Sequence, residues 1–309
     1  MKKNITKYLL LALACLGLQS CLFQEENYFD DSSANRATAD VSRCGELLKG
    51  APNGWVMEYY VGKDYSLGGI TLLCRFDGQR VTMASQMSEA DETVSSLYSV
   101  KSEQATMLSF DTYNYLVHYF GQPQGSMSDD PNGTLGGDYE FIISSASAER
   151  IELKGKKYGN RIVMKALTED QTWKQYLTKI KKVEDDAFFY EYDLLMDGLY
   201  TGQMIRSNYT FIVTYYDEIG KVHQKTVPFM FTADGLRFHE PVTIDGQTMQ
   251  NFVWKNELIS FVCTDEGATG VKLAGVYTAG YQSYDYYPGT YQMDFYRLND
   301  ETGQLEVAS

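Results

Sequence analysis

Side chains that commonly carry out catalysis or bind metals are sparse in this sequence. It has three histidines, His118, His223 and His239, and five cysteines. No histidine stands in the His-Glu-x-x-His spacing of a zinc protease, and no Cys-x-x-Cys pair occurs. The sequence also lacks the Gly-x-Ser-x-Gly motif of hydrolases and the glycine-rich motifs that bind phosphate. We therefore expect no metal, no cofactor and no enzymatic activity.

Two further chemical hypotheses rest on acidic residues and stay open. Asp129, Asp130, Asn132 and Asp138 stand among glycines and could offer oxygen ligands to a calcium ion. Turn formation alone also explains Asp, Asn, Pro and Gly in this segment. The chain has 41 Asp+Glu residues, so a hydrolase with a glycosidase-like pair of carboxylates remains an alternative, because the separation that matters is spatial.

Tyrosines are the residues that most clearly suggest binding. The chain has 25 of them, and one short segment holds Tyr277, Tyr281, Tyr284, Tyr286, Tyr287, Tyr291 and Tyr296. Glycines and a proline interrupt this segment, which indicates loop rather than strand, and loop tyrosines cannot all reach a core. We predict that Tyr281, Tyr284, Tyr286 and Tyr287 contact a partner, a peptide or a glycan, since tyrosine combines an apolar face with a polar tip. Packing within a sheet is the alternative.

A basic stretch gives a second candidate contact surface. It consists of Lys154, Lys156, Lys157, Arg161, Lys165, Lys174, Lys179, Lys181 and Lys182. These residues form either a solvated face or a surface that docks an acidic partner. The chain as a whole is acidic, with a formal charge of −14. A strongly acidic chain repels phosphate backbones, so we expect no nucleic acid partner.

The N-terminus has the features of a secretory signal. Lysines at positions 2, 3 and 7 precede the apolar run Tyr8–Leu18, which is too short for a spanning helix of about 20 residues. The following Leu18-Gln19-Ser20-Cys21 resembles the bacterial lipobox. The resemblance implies a signal peptide over 1–20, cleavage before Cys21 and acylation of that residue. A plain signal peptide with an incidental cysteine is the alternative.

Two helices are predicted from the helical spacing of apolar residues and from capping residues. The segment "TADVSRCGELLKG" indicates an N-terminal helix that begins at Thr38 or Asp40. In "LTEDQTWKQYLTKIKKVEDD", Thr168 and Gln171 have the spacing of a capping box. Apolar residues from Trp173 to Val183 follow with helical spacing, so we predict an amphipathic helix anchored by a buried Trp173.

Most of the remaining chain alternates apolar and polar residues, as strands with one buried face do. In "ITLLCRFDGQRVTM", the pair Asp77-Gly78 predicts a hairpin with a type I′ turn. Cys74 and Cys263 share strand faces with apolar residues and are expected to be buried. The predicted fold is mostly β: two antiparallel β-sandwich or barrel-like halves, with an N-terminal helix and a linking amphipathic helix.

The expected organisation follows the chain in five segments. The signal peptide covers 1–20 and a lipidated acidic tether covers 21–37. A first helix-plus-β domain follows at 38–167, a linking helix at 168–198 and a second β domain at 199–309. Because each β half is introduced by a helix, the sequence suggests a weak internal duplication.

Four ordered motifs carry a family resemblance. The stretches "NGWVMEYY", "LSFDTYNYLVHYF", "GTLGGDYEFII" and "LKGKKYGNRIVMKAL" together resemble a family of Bacteroidota outer-membrane lipoproteins known as domain of unknown function 4302. The family is associated with starch-utilisation-type import systems. The resemblance implies an accessory lipoprotein beside an outer-membrane import transporter and its companion lipoprotein. It implies no reaction and carries over no functional residues.

The expected location follows from this resemblance and from the tether. Glu25 and Glu26 lie shortly after Cys21, and in Bacteroidota lipoproteins such an acidic run resembles the signal for display on the outer face of the outer membrane. We expect a surface-exposed lipoprotein, attached to the membrane by lipid on Cys21, that serves nutrient import as a binding or accessory component. A purely structural envelope lipoprotein without a ligand is the alternative.

Overall fold

The structure, a computed structural model, describes residues 32–124, 133–217 and 219–277 and the backbone of two short strands further on. Within these ranges, no helix combines the length and the apolar character needed to span a membrane. The described residues up to Val276 belong to one compact unit. Strands β17 (Tyr296–Leu298) and β18 (Leu305–Val307) pair with each other in the C-terminal unit.

Eight antiparallel strands close into a first barrel, in chain order. They are β1 (Trp55–Val61), β2 (Gly68–Phe76), β3 (Arg80–Ser85), β4 (Val94–Ser102), β5 (Thr106–Phe110), β6 (Glu140–Ala146), β7 (Arg150–Gly155) and β8 (Arg161–Ala166). Pairing of Trp55 with Ala166 closes the ring between β1 and β8. Closure removes the exposed edges that an open sheet would present.

A second closed barrel of eight antiparallel strands repeats this plan. It contains β9 (Glu191–Met196), β10 (Leu199–Ser207), β11 (Thr210–Tyr216), β12 (Val222–Phe231), β13 (Gly235–Ile244), β14 (Gln247–Lys255), β15 (Ser260–Cys263) and β16 (Val271–Val276). Pairing of Val271 with Met196 closes it between β16 and β9. The mostly β fold with two antiparallel halves is therefore confirmed, and both halves are barrels.

The first helix begins earlier than predicted. Helix α1 spans Ser33–Lys49, and the Ser32 hydroxyl caps it by accepting a hydrogen bond from the Asn35 amide at 3.1 Å. The predicted start at Thr38 or Asp40 is wrong, because Ser32 provides a cap about two turns upstream. Residues 33–37, which the sequence analysis placed in the tether, are helical. The short helix α2 (Tyr115–His118) lies between β5 and β6.

The linking helix α3 spans Trp173–Asp186. Its capping box is formed by Thr172 and Gln175, not by Thr168 and Gln171, because the same spacing of residue types recurs four positions later. Trp173 is half-buried rather than buried. Its indole Nε1 donates to the Asn53 carbonyl at 2.7 Å and so ties the start of the helix to the first barrel.

The barrel interiors are filled by apolar side chains. Trp55, Met57 and Tyr59 of β1 point into the first barrel, and Phe211, Phe229 and Phe238 are among those that fill the second. Cys74 and Cys263 are buried in these interiors, as predicted, and burial raises the pKa of both thiols.

The predicted type I′ turn between β2 and β3 is wrong. Asp77 pairs with Arg80 through its amide, so Gly78 and Gln79 are the central residues. Gly78 has φ of 106°, whereas Gln79 is not among the residues with positive φ. Glycine at the first central position is typical of a type II′ turn. The Asp77 carboxylate stabilises this turn by accepting hydrogen bonds from the backbone amides of Gln79 and Arg80.

The two barrels pack against each other along β2 and β12. Gly68 permits this approach, because a Cβ at that position would lie 2.0 Å from the carbonyl oxygen of Tyr209. The second barrel begins at β9, inside the segment 168–198 that the sequence analysis gave to the linker, and its last strand ends at Val276.

Candidate functional site

The residues predicted to carry binding lie mostly outside the described part of the chain. This holds for Cys21, the predicted acylation site, for Tyr281, Tyr284, Tyr286 and Tyr287, and for the loop residues Asp129 and Asp130. Their proposed roles therefore stay predictions.

Asp138, the fourth member of the candidate calcium loop, has a structural role in the described region. Its carboxylate accepts hydrogen bonds from the Lys157 amide at 2.7 Å and the Tyr158 amide at 3.1 Å. Burial raises the pKa of this carboxyl, although the two amide donors oppose the shift. The side chain thus holds the hairpin that follows β7.

A cavity of about 410 Å³ lies in the cleft between the two barrels. This volume is within the range of about 300–1,000 Å³ that small-molecule sites occupy. Side chains from β1, β7 and β8 of the first barrel and from β13 and β14 of the second line it. We call it the inter-barrel cleft; its polar lining residues are Glu58, Tyr60, Arg150, Arg161, Lys165, Arg237, His239, Glu240, Gln250 and Asn251.

An ion-pair network crosses the floor of the inter-barrel cleft. Glu58 of β1 pairs with Lys165 of β8 at 2.7 Å and with Arg237 of β13 in the other barrel. The Glu58 side chain is 11% exposed and that of Arg237 is 19% exposed. Because both cations hold the Glu58 carboxylate, the network ties the two barrels together and favours a structural and orienting role over acid–base chemistry.

Tyr60 leaves a buried polar atom without a partner at this site. The residue is 5% exposed, and its hydroxyl lies beside the Arg237 guanidinium without the geometry of a hydrogen bond to any described residue. Burial raises the pKa of the phenol, against the opposing influence of the Arg237 guanidinium. A buried polar atom without a hydrogen bond costs about 1–3 kcal/mol. The hydroxyl exposes less than 1 Å², so a bound molecule would meet it only after neighbouring side chains such as Arg237 shift.

A break in strand register brings His239 to the cleft. Between Arg237 and Val242, four residues of β13 stand opposite Gln250 of β14. The side-chain amide of Gln250 fills the gap, because its Nε2 donates to the carbonyl oxygens of Phe238 at 3.2 Å and His239 at 3.4 Å. Such irregularities redirect side chains and are common beside binding sites.

His239 stacks on Tyr65 at the edge of the cleft. Their ring centroids are 4.0 Å apart with an interplanar angle of 26°, and Tyr60 meets the imidazole edge-on at 4.4 Å. Burial lowers the pKa of His239, so the imidazole is neutral near pH 7. Tyr65 has φ of 58°, and Asp64 before it has φ of 53°. A left-handed conformation is unusual for a bulky residue and is often found at ligand sites.

A second cavity of about 360 Å³ adjoins the inter-barrel cleft. Arg161 and Val163 line both cavities, and Tyr65 lines the second. The Tyr65 hydroxyl accepts a hydrogen bond from the Arg161 amide at 3.4 Å, which places the aromatic ring where the two cavities meet. The Arg161 side chain is exposed and has no ion pair among the residues that the structure describes.

The charged lining residues of the cleft are mostly cations, whereas the chain as a whole is acidic. The lining contains four cations, Arg150, Arg161, Lys165 and Arg237, and two carboxylates, Glu58 and Glu240. Arg150 is also paired with Glu152 at 3.0 Å, just outside the lining. The remaining local positive charge stands in a chain with a formal charge of −14. An anion entering the cleft therefore meets cations, whereas elsewhere it meets mainly carboxylates.

A third cavity of about 510 Å³ lies at the start of α3 and is lined by Asn53, Arg75, Asp91 and Trp173, among others. Both of its cations already have partners: the Lys174 ammonium meets Asp91 at 2.9 Å, and the Arg75 guanidinium lies 5.1 Å from the Trp173 ring centroid. The buried unpaired hydroxyl of Tyr60 has no counterpart in this lining among the described residues. This cavity is therefore the weaker candidate.

The basic stretch contributes to both structural ion pairs and the cleft. Lys156 pairs with Glu103 and Glu140, and Lys182 pairs with Asp186. Arg161 and Lys165, in contrast, reach the cleft. Sequence reasoning missed Tyr60, Arg237 and His239 as site residues.

Two signals in the sequence pointed towards these missed residues. Glu58 stands between the apolar residues Val56 and Tyr60 on the outward face of the strand "WVMEYYV", and "LRFHEPV" places His239 two residues before a proline within a strand. A proline is unusual inside a regular strand, and a mixed apolar and charged outward face is typical of one that is partly covered.

Among the comparisons with known proteins, the match to a family model is informative. No curated protein matches the chain in sequence. A DNA polymerase III subunit beta DnaN sliding clamp from Bartonella birtlesii LL-WM9 aligns with 8% identity and a TM-score of 0.12, over 77% of this chain and 64% of the clamp. The chain thus spans less than two thirds of that protein, and so low a TM-score carries no argument.

The model of the family described as domain of unknown function DUF4302 matches residues 25–256. Since this match spans most of the chain, including the whole first barrel and six of the eight strands of the second, the protein belongs to the DUF4302 family.

Proposed function

We propose that the protein is a lipid-anchored binding component of a nutrient import system on the outer face of the bacterial outer membrane. The observation that carries the binding role is the inter-barrel cleft, where the buried Tyr60 hydroxyl has no partner among the described residues. A module with only a structural role gains nothing from a roomy, charged cleft that contains an unpaired buried atom.

Membrane attachment and import rest on the N-terminal segment and on the family. The resemblance of "LQSC" to a lipobox supports acylation of Cys21, and several acyl chains give stable anchoring. Membership of the DUF4302 family supports a role beside an import transporter and its companion lipoprotein, through the association of similar Bacteroidota lipoproteins with starch-utilisation-type systems.

Binding without catalysis is the activity that the cleft geometry favours. The Glu58 carboxylate is paired with two cations, and Glu240 has a side chain that is 72% exposed. A glycosidase needs two carboxyl groups that flank the scissile bond, and Glu58 is already held in the ion-pair network between the barrels.

Growth of the parent bacterium on a mixed polysaccharide extract separates a binding role from a structural one. The cleft is blocked by Val163→Trp, because Val163 lines both cavities and is half-buried. The matched control is Ile212→Trp, at an exposed site on β11 of the other barrel. We expect deletion and Val163→Trp to impair growth equally, and Ile212→Trp to leave it unchanged. Normal growth of Val163→Trp, together with detergent sensitivity of the deletion strain, would instead indicate a structural envelope protein.

Lipid attachment is tested separately by metabolic labelling with palmitate. We expect the wild-type chain to incorporate label and the Cys21→Ala variant to lose it. Equal labelling of the two chains would show that Cys21 is not the acylated residue.

A further inference from the structure

We infer that the inter-barrel cleft and the adjoining cavity form one groove for a short oligosaccharide that carries carboxylates, such as a uronic acid trimer. This inference rests on the proposed binding function and names the class of ligand. It draws on the cations of the cleft, on its aromatic edge and on the continuity of the two cavities.

The cations argue for an acidic ligand. Arg161 is exposed, lies where the two cavities meet and has no ion pair with any residue that the structure describes. A guanidinium is planar and matches a carboxylate through two parallel hydrogen bonds. Arg150 and Lys165 flank it, and their charge is partly neutralised by Glu152 of the second cavity and by Glu58, so Arg161 is the main unpaired cation of the groove. A neutral sugar would leave the Arg161 charge unused.

The aromatic edge argues for a ring-shaped ligand. Tyr65 and His239 are stacked and present a flat edge beside Arg161. Aromatic faces contact the apolar face of a sugar ring, while a phenol or an imidazole offers polar atoms to its hydroxyls. His239 is neutral near pH 7 because burial lowers its pKa, so one of its ring nitrogens is an acceptor for a sugar hydroxyl. Tyr60, which meets His239 edge-on, adds a buried hydroxyl without a hydrogen bond to this part of the cleft.

The size of the groove argues for a short chain of rings rather than one small anion. The two cavities measure about 410 Å³ and 360 Å³ and share Arg161 and Val163. A lone phosphate or acetate would contact one cation and leave the aromatic edge empty. A long polyanion would meet the acidic remainder of the chain, whose formal charge is −14.

Isothermal titration calorimetry with the full wild-type chain tests the inference. The probes are trimers of galacturonate, glucuronate and mannuronate, each compared with its methyl-esterified form, which keeps the rings and removes the charge. We expect at least one acidic trimer to bind at least tenfold more tightly than its ester, a difference of about 1.4 kcal/mol or more, because only the acid forms charge-assisted hydrogen bonds with Arg161. Equal affinity for acid and ester, or no binding of any acidic trimer, would overturn the inference.

Variants assign the interaction to residues. Arg161→Gln should weaken binding of the acidic trimer about tenfold or more and leave the ester unaffected. Tyr65→Phe keeps the ring and should bind nearly as the wild type does, whereas Tyr65→Ala should weaken acid and ester alike. Lys179→Gln, an exposed lysine on α3 away from the groove, is the charge-matched control and should change nothing. Undiminished binding by Arg161→Gln would overturn the assignment.

Two outcomes separate this inference from the proposed function. If a tri-glutamate peptide binds as tightly as the best uronic acid trimer, the ring-binding role of Tyr65 and His239 is wrong, although the cleft still binds an acid. If no trimer binds while Val163→Trp still impairs growth, the ligand class is wrong and the proposed function stands. Normal growth of Val163→Trp would refute the proposed function itself.

Discussion

Two neighbouring tyrosines of β1 show how the barrel interior differs from the cleft. Tyr59 points into the first barrel and is 1% exposed, whereas Tyr60 faces the cleft and is 5% exposed. The Tyr59 hydroxyl donates to the Asp138 carbonyl at 2.8 Å, but the Tyr60 hydroxyl has no partner among the described residues. Burial raises the pKa of both phenols. The hydroxyl of the interior tyrosine is hydrogen-bonded within the barrel, whereas the hydroxyl of the cleft tyrosine is not.

This difference indicates where a ligand can act. Both barrels are closed and filled by apolar side chains, which leaves their interiors no room for chemistry. The polar and charged side chains of the outer strand faces collect where the barrels meet. Packing of two closed barrels thus creates a polar cleft that neither barrel has alone.

The largest effect is expected inside a barrel. Phe211 is fully buried in the second barrel and stacks on Phe229 with ring centroids 4.4 Å apart. Phe211→Ala should lower the free energy of unfolding by about 3–5 kcal/mol, as large cavities in cores do. Chemical denaturation measures this, with Ile212→Ala at the exposed neighbouring position as the control. A loss no larger than that of the control would mean that the barrel interior is not tightly packed.

A smaller effect is expected in the ion-pair network of the cleft. Glu58→Gln removes charge-assisted contacts with Lys165 and Arg237 and should cost about 1.5–3 kcal/mol. Combining it with Arg237→Gln should cost less than the sum of the single changes, since neither partner is then left uncompensated. A double-mutant cycle from urea unfolding gives this coupling. Strict additivity would show that the two side chains do not interact across the barrels.

The two tyrosines provide the most direct test of the comparison. Tyr59→Phe removes a hydrogen bond inside the barrel and should cost about 1 kcal/mol. Tyr60→Phe removes an unpaired hydroxyl and should leave stability unchanged or raise it by up to about 1 kcal/mol. Thermal unfolding of the two variants side by side measures the difference. Equal losses would mean that the Tyr60 hydroxyl is bonded in the folded protein, and the case for an incomplete cleft would fail.

The strands could be predicted from the sequence because the alternation of apolar and polar residues is a local signal. Residues such as Met57 and Tyr59 alternate with outward-facing neighbours, and turn residues separate the runs. Closure could not be predicted. The pair that closes the first barrel, Trp55 with Ala166, joins residues far apart in sequence, and the same alternation suits a sandwich. A barrel and a sandwich differ in long-range pairing and not in local pattern.

The site was less predictable than the fold for a related reason. Glu58, Arg161 and His239 come from three strands of two barrels and meet only after both have folded and packed. Nothing local distinguishes Tyr60 from Tyr59 except its phase in the strand. Reasoning from composition instead favoured Tyr281 and its neighbours, where tyrosines are dense in sequence. Density along the chain is a poor guide when a site is assembled from distant strands.

The smallest expected effect is a pH dependence from His239. Burial is the main cause that lowers the pKa of this imidazole, and Arg161 and Arg237 act in the same direction, whereas Glu240 and Glu58 oppose it. Below its ordinary value of about 6.5, the unfolded chain therefore binds a proton that the folded cleft resists. Stability should fall as pH decreases through this window and should be insensitive to His239 above it.

Comparing the slopes of stability against pH isolates this contribution. His239→Gln should reduce the loss of unfolding free energy between pH 7 and pH 5, measured by urea denaturation at each pH. His118→Gln is a matched comparison from the first barrel, because burial also lowers the pKa of His118. The two changes should be additive, since the sites do not share partners. A slope in His239→Gln equal to that of the wild type would mean that the imidazole is well solvated, and that the edge of the cleft is more open than its stacking on Tyr65 indicates.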